Sequence, residues 1–180
     1  MNDSQTIVVG LRPWAEEDLP LLERLMGDPV MTEHLGGAES PAKLRERHAR
    51  YLALEPAKGR MFVIVIGPQH VPAGSVGYWS RDSHGQQVWE TGWSVLPEFQ
   101  GKGIATRATA ALVEKAREVG TRQFIHAYPS VHNGSSNAIC RKLGFTFQGA
   151  SDFEYPPGTI VRCNDWRFDL FDESAGSRSG

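Results

Sequence analysis

Three strand-like runs in close succession, followed at once by a glycine turn and a long amphipathic helix, narrow the folds open to this chain. The runs are residues 61–66, 72–80 and 89–95. The first reads Met-Phe-Val-Ile-Val-Ile, apolar without a break, the pattern of a central strand covered on both faces. Asp82-Ser83-His84-Gly85 carries hairpin chemistry between the second and third. The three runs therefore predict an antiparallel meander. The glycine turn follows this antiparallel meander, which argues against a dinucleotide-binding dehydrogenase.

The turn itself is Gln100-Gly101-Lys102-Gly103-Ile104-Ala105. Glycines at a strand-to-helix junction let backbone N–H groups approach an anion, and the helix N-terminus adds the positive end of its dipole. A pyrophosphate suits such a turn. The helix over 104–119 carries Ala105, Ala108, Leu112, Ala116 and Val119 at spacings of three and four, and Gly120 stops it.

The remaining elements follow from the same signals. Residues 7–12 read as a first strand and residues 14–26 as a helix, with Leu19, Leu22, Leu25 and Met26 near helical spacing. Ser40-Pro41 begins a second helix running to about residue 54. Residues 124–128 form a short buried strand, residues 135–143 a helix, and residues 146–151 and 162–170 the last two strands. The order is β-α-α-β-β-β-α-β-α-β-β: an α/β chain of the α+β type, its seven-stranded sheet mixed and mostly antiparallel, with helices on both faces. The 180 residues suffice for one domain. We expect that domain over 1–172 and a small polar disordered tail over 173–180.

A second motif lies downstream, Asn133-Gly-Ser-Ser136-Asn137-Ala-Ile-Cys140-Arg-Lys142-Leu143-Gly144-Phe145. Gly144 fits the left-handed position after a helix, with Phe145 packing back on the last turn. Asn133 is a candidate N-cap or turn former.

Gln-x-x-Gly-x-Ala before one helix, then Asn-x-x-Ser-Asn ahead of Lys-Leu-Gly-Phe, resembles the GNAT superfamily of acyl-CoA N-acyltransferases. The opening Leu-Arg-Pro-Trp, the Trp-Glu-Thr-Gly-Trp strand and the closing Asn-Asp-Trp-Arg-Phe-Asp-Leu strand resemble its ribosomal-protein N-terminal acetyltransferase branch. The likeness spans residues 6–170. It implies acetyl-CoA as donor, a primary amine as acceptor, and a pyrophosphate loop at Gln100, Gly101, Lys102, Gly103, Ile104, Ala105 and Thr106. It puts Ser94, Val95 and Leu96 where the pantetheine arm pairs with backbone, with a bulge splaying this strand from residues 124–128. A free N–H near Val95 would then polarise the thioester carbonyl. Asn133, Ser136 and Asn137 would form the opposite wall, both asparagines hydrogen-bonding the cofactor. Lys102, Arg107, Arg141 and Lys142 are candidates for phosphate contacts.

Attack by a neutral amine needs a proton acceptor and a donor to the leaving thiolate. Glu90, in the strand leading to the thioester, is the expected base. The likeness implies Ser136 as the acid, with Tyr128 and Tyr155 as substitutes. Many superfamily members carry tyrosine where this chain has Cys140, which leaves a non-catalytic acyl-CoA-binding regulatory module as the alternative. The acceptor pocket is expected from residues 31–37, 41–54 and 154–160. Trp79, Trp89, Trp93 and Trp166 read mainly as core, one or two of them as pocket wall.

Composition excludes other classes. A net charge of −2 gives no footprint for nucleic acid. No apolar run spans a bilayer and no signal pattern opens the chain, so a cytoplasmic enzyme is expected, monomer or homodimer. Two distant cysteines and six scattered histidines have no metal-ligand spacing, so no metal is expected.

Overall fold

A computed structural model describes residues 7–154 and 157–172. Seven strands form one sheet: β1 (Val9–Pro13), β2 (Gly59–Ile66), β3 (Val71–Ser83), β4 (Gln86–Val95), β5 (Phe124–Ala127), β6 (Thr146–Glu154) and β7 (Ile160–Asp169). Their spatial order is β1-β2-β3-β4-β5-β7-β6. Every neighbouring pair is antiparallel except β4 and β5. Among the described residues, four α-helices complete the expected order: α1 (Leu19–Met26), α2 (Pro41–Leu52), α3 (Ile104–Val119) and α4 (Gly134–Lys142).

The uninterrupted apolar run of β2 has a simple cause. Its alternate residues serve two different cores. Phe62 and Ile64 pack in the cluster with Ala108, Leu112 and Ala116 of α3 and Cys140 of α4. Met61, Val63 and Val65 pack with Leu21, Leu22 and Leu25 of α1 and Leu44 of α2. A strand buried on both faces loses the polar half of its alternation. Helices therefore flank both faces, α3 and α4 on one side, α1 and α2 on the other.

The turns follow the chemistry of their residues. His84 and Gly85 form a two-residue hairpin turn with φ of 54° and 82°, closed by the Ser83–Gln86 pair. Asp82 Oδ1 accepts from Gly85 N–H at 2.9 Å. Positive φ at both turn positions matches the right-handed twist of the strands, which lets β3 run on to Ser83 and β4 start at Gln86, beyond the expected strand ends. α4 ends in a Schellman motif. Phe145 N–H bonds Cys140 O at 3.0 Å and Gly144 N–H bonds Arg141 O at 3.1 Å, with Gly144 at φ 83°.

The first helix starts later than its periodicity suggests. Trp14 is drawn to the sheet: its N–H donates to Met61 O at 3.0 Å, its indole donates to His48 Nδ1 at 3.1 Å, and its ring meets Tyr51 edge-on. Asp18 accepts from Ala15 N–H at 2.8 Å and from Arg12 at 2.7 Å. A short 3-10 turn intervenes, and α1 begins only at Leu19, with proline in its first turn. The final hairpin is also longer than expected, β6 reaching Glu154 and β7 starting at Ile160. The expected tail at 173–180 lies outside the described residues.

Candidate functional site

β4 and β5 diverge, and an open cleft of about 850 Å³ lies between them. The divergence does not come from a bulge. Pairing of β3 with β4 runs unbroken from Gly74–Val95 to Ser83–Gln86. β5 instead pairs with β4 only opposite Trp89, Glu90 and Thr91. Beyond Ala127 the chain follows β7: Pro129 O accepts from Asn164 N–H at 2.9 Å, Ser130 bridges Cys163, and Val131 N–H bonds Arg162 O. Pro129 has no N–H with which to continue the β4 ladder.

The open edge of β4 is the first feature of the site. Leu96 N–H donates to Ala73 O at 2.9 Å, so the facing residues Gly74 and Val95 are a non-hydrogen-bonded pair. Their N–H and C=O groups point away from each other, and alternation gives Trp93 the same direction as Val95. Val95 O is taken by Gln100 Nε2 at 2.8 Å. The N–H groups of Trp93 and Val95 and the carbonyl of Trp93 remain on the cleft side. Ser94 lines the cleft, but its backbone faces β3. Leu96 does not serve as expected. It is 1% exposed, and both its backbone groups are engaged, with Ala73 and with Phe99.

The N-terminus of α3 is the second feature. Gly101 and Gly103 take φ of 73° and 70°, and no side chain caps the helix. The first intrahelical bond runs from Arg107 N–H to Gly103 O. The N–H groups of Ile104, Ala105 and Thr106 are therefore left without helical partners, and all three residues line the cleft with Gln100, Gly101 and Gly103. Such orphaned donors at the positive end of a dipole fit an anion.

The basic residues expected around this loop do not all face the cleft. Lys102 folds back onto Glu98 O at 2.9 Å and the Phe99 ring, outside the lining. Arg107 is a latch: it donates to Ile7 O, Lys102 O and Gly103 O at 2.5, 2.7 and 3.3 Å. Arg141 lies over the Trp166 ring. Lys142 does line the cleft.

On the opposite wall, Asn133 caps α4, its Oδ1 accepting from Ser136 N–H at 3.1 Å and Ser135 Oγ at 3.0 Å. Asn133 and Ser136 line the cleft. Asn137 does not. It is 4% exposed, its Nδ2 donates to Ser130 O and Asn133 O, and its Oδ1 accepts from Asn164 Nδ2 and Trp166 Nε1. An amide with two donors and two lone pairs has nothing left for a ligand. Asn137 is a brace between α4 and β7.

The far end of the cleft holds the titratable groups. Glu90 lines it, and its Oε2 accepts from Arg81 Nη1 at 2.6 Å. Tyr128 lies alongside; burial, followed by the charge of Asp165, pushes its hydroxyl up to about 12, against the opposing effect of Arg81. It stays protonated at neutral pH. Cys140 is fully buried behind the wall, and burial pushes its thiol up to about 12. It is a core residue, as its size and polarity suggest. Tyr155 lies outside the described residues. Among the described residues no group of His, Cys, Asp and Glu could hold a metal ion.

The acceptor side differs in part from expectation. Val30, Met31, Glu33, His34 and Leu35 line the cleft, with Trp79 and Trp93. No residue of α2 does, because its apolar side packs on Trp14 and α1. Trp89 and Trp166 are core. Two roles were missed from sequence: the Trp93 backbone, which supplies the open edge, and Arg81. The hairpin register was the available signal: a two-residue turn at His84-Gly85 places Arg81 diagonally beside Glu90.

Residues 9–146 match the family model of the acetyltransferase (GNAT) domain. The fold is shared with several solved structures. One is a Salmonella typhimurium acetyl transferase that modifies the N-terminal serine of the 50S ribosomal subunit protein L7/L12. The two are 22% identical over 92% of this chain and 96% of that one, with a TM-score of 0.73. Another is spermidine N-acetyltransferase from Vibrio cholerae, solved with CoA and spermine: 19% identity, 90% and 95% coverage, TM-score 0.75. A third is yncA, a putative acetyltransferase from Salmonella typhimurium, solved with acetyl-CoA: 20% identity, 91% and 94% coverage, TM-score 0.71.

Proposed function

Since the chain belongs to the acetyltransferase (GNAT) domain family, we propose that it is an N-acetyltransferase using acetyl-CoA and a primary amine. The observation that carries this reading is the continuity of the cleft. An uncapped helix N-terminus lies at one end, an unpaired strand edge runs along the middle, and a carboxylate sits at the other end.

The residues suit acetyl-CoA. The N–H groups of Ile104, Ala105 and Thr106, with Gly101 and Gly103, would hold the pyrophosphate, and Lys142 would add a positive charge. The Trp93 carbonyl and Val95 N–H would pair with the pantetheine amides as an added strand. When bound, acetyl-CoA supplies a thioester: the amine lone pair forms the C–N bond, the C–S bond breaks, and one proton passes from nitrogen to the departing sulfur. Trp93 N–H, the open donor nearer Glu90, would hold the developing oxyanion. Glu90 takes the amine proton, directly or through water. Ser136 or Tyr128, both lining the cleft, returns a proton to sulfur.

The acceptor carries a single positive charge. Among the described residues only two acids line the cleft, Glu33 and Glu90. Glu90 is already paired with Arg81, and Glu33 lies 3.4 Å from His34. A polyamine would find too little negative charge there. The amine of a peptide N-terminus, or a small monoamine, fits beside Trp79, Trp93 and Met31. We read residues 1–172 as one catalytic unit, acting in the cytoplasm as a monomer or homodimer.

Thiol release from acetyl-CoA over a panel of peptides, amino acids, polyamines and aminoglycosides tests this, with a parallel titration of CoA. Turnover with a monoamine or peptide, lowered about a hundredfold or more by Glu90→Gln, supports it. A second reading has one observation in its favour, the engagement of Glu90 by Arg81. On that reading the protein binds acyl-CoA without transfer. Tight CoA binding with no turnover across the panel would support it.

A further inference from the structure

Arg81 is absorbed by no part of the reaction as described, yet it touches the base and the wall beside it. It stands on β3 two residues from Trp79, the partner of Glu90, so it is the diagonal cross-strand neighbour of Glu90 on one face of the sheet. Its Nη1 meets Glu90 Oε2 at 2.6 Å. Its guanidinium carbon Cζ lies 4.3 Å from the centre of the Tyr128 ring and 5.1 Å from that of Phe153. Those two rings meet edge to face at 5.5 Å. The guanidinium thus sits in an aromatic corner that limits its movement. The carboxylate is only about one-fifth exposed.

We propose that Arg81 is a positioning residue for acetyl transfer, binding Oε2 of Glu90 so that Oε1 alone meets the acceptor amine or its relaying water. This rests on the acetyltransferase reading above. A free glutamate samples several rotamers, and each oxygen can present itself in turn. A carboxylate held by a donor that is itself seated against two rings has fewer orientations open to it. Glu90 Oε1 has no hydrogen bond within the described residues. Arginine suits the task better than lysine, because its planar fork stacks and donates at once. The arrangement also explains how a carboxylate at the amine end can be charged without drawing polycations: its charge is already matched on the side away from the acceptor.

The test is a double-mutant cycle in the full-length protein, with Arg81→Met, Arg81→Lys, Glu90→Gln and the Met/Gln double variant. Thiol-release kinetics give kcat and KM, and calorimetry gives CoA affinity. Arg81→Met should lower kcat about tenfold to a hundredfold, the loss typical of a misplaced catalytic group. CoA affinity should stay within about twofold, because Arg81 is remote from the anion end. Arg81→Lys, which keeps a charge near Oε2, should recover part of the loss. In the Glu90→Gln background the Met substitution should add less than about threefold.

An Arg81→Met protein that folds, binds CoA and keeps the parental kcat overturns the proposal. So does a full and independent loss in the Glu90→Gln background. Either result leaves the acetyltransferase reading intact, because the parent still turns over. A parent that binds CoA and acetylates no amine overturns both. Should Arg81→Met fail to fold, Arg81→Lys with and without Glu90→Gln takes its place: a kcat loss confined to the Glu90 parent supports the proposal, and an equal loss in both backgrounds overturns it.

Discussion

Replacing Asn137 with alanine separates a structural brace from a cofactor ligand. The amide has four partners, Ser130 O, Asn133 O, Asn164 Nδ2 and Trp166 Nε1, at 2.9, 2.7, 2.8 and 2.8 Å. Ser130 and Trp166 are each 7% exposed, so water reaches them poorly. The Asn164 amide is half-buried and can turn to solvent. Ser130 O keeps the Asn133 N–H at 2.9 Å and Asn133 O keeps the main-chain N–H of position 137 at 3.1 Å. The cost is therefore dominated by the buried Trp166 indole N–H left unpaired, about 1–3 kcal/mol, with the lesser loss of the other side-chain bonds bringing the expected total to about 3 kcal/mol. With a urea dependence of about 2 kcal/mol per molar, the unfolding midpoint should fall by roughly 1.5 M. Circular dichroism and tryptophan fluorescence should trace the same transition if unfolding is two-state. CoA affinity, measured well below the midpoint, should change only a few-fold. A loss of less than about 1 kcal/mol, with CoA binding weakened a hundredfold, would refute the reasoning and make Asn137 a ligand after all.

Other perturbations probe the loop, the strand edge and the buried thiol. Arg107→Ala removes the latch on Ile7 O, Lys102 O and Gly103 O; CoA should bind about tenfold more weakly in calorimetry while thermal stability changes little. Gly74→Ala puts a Cβ onto Ser94 O and the Val95 Cα, both backbone; β3 and β4 must separate, costing more than about 2 kcal/mol and weakening CoA binding together. The Cys140 thiol, buried, is held up to about 12 against its usual 9.0. Its contribution is complete below pH 9 and lost as pH rises through about 12, so stability should decline across that window and Cys140→Ala should flatten the decline. Of Ser136→Ala and Tyr128→Phe, the one that removes the proton donor should lower kcat by about tenfold or more without raising KM for CoA. Ser136→Ala should keep the α4 cap, since Asn133 binds the Ser136 N–H, not its hydroxyl.

Much of the fold is legible because it rests on local chemistry. The Schellman end of α4 follows from Gly144 and Phe145, the hairpin from His84-Gly85, and the two-sided burial of β2 from a run without polar breaks. Where local pattern and structure part, the cause is tertiary. Trp14 has a helix-compatible neighbourhood, yet hydrogen bonds to Met61 and His48 hold it on the sheet. α2 has an apolar side that looked available for a pocket, yet that side is covered by Trp14 and α1.

The site divides along the same line. Its anion end was legible, because a glycine turn before a helix is local and its donors are backbone groups that no distant residue needs to supply. Its middle was legible only as to the strand. Which residues of β4 face the cleft depends on the pairing with β3, and that depends on the turn length: a two-residue turn puts Trp93 and Val95 outward and commits Ser94 and Leu96 to β3. The opening itself depends on where β5 stops pairing, which Pro129 and the pull of β7 decide together. The asparagines show the limit most plainly. Asn133 and Asn137 are one helical turn apart, and the same motif names both. One ends at the cleft as a cap, and the other turns inward to Trp166, a residue 29 positions away that no local pattern connects to it. A polar side chain in a binding motif can serve the ligand or hold the wall that the ligand rests on. Its hydrogen-bond partners decide which, and those partners come from the fold.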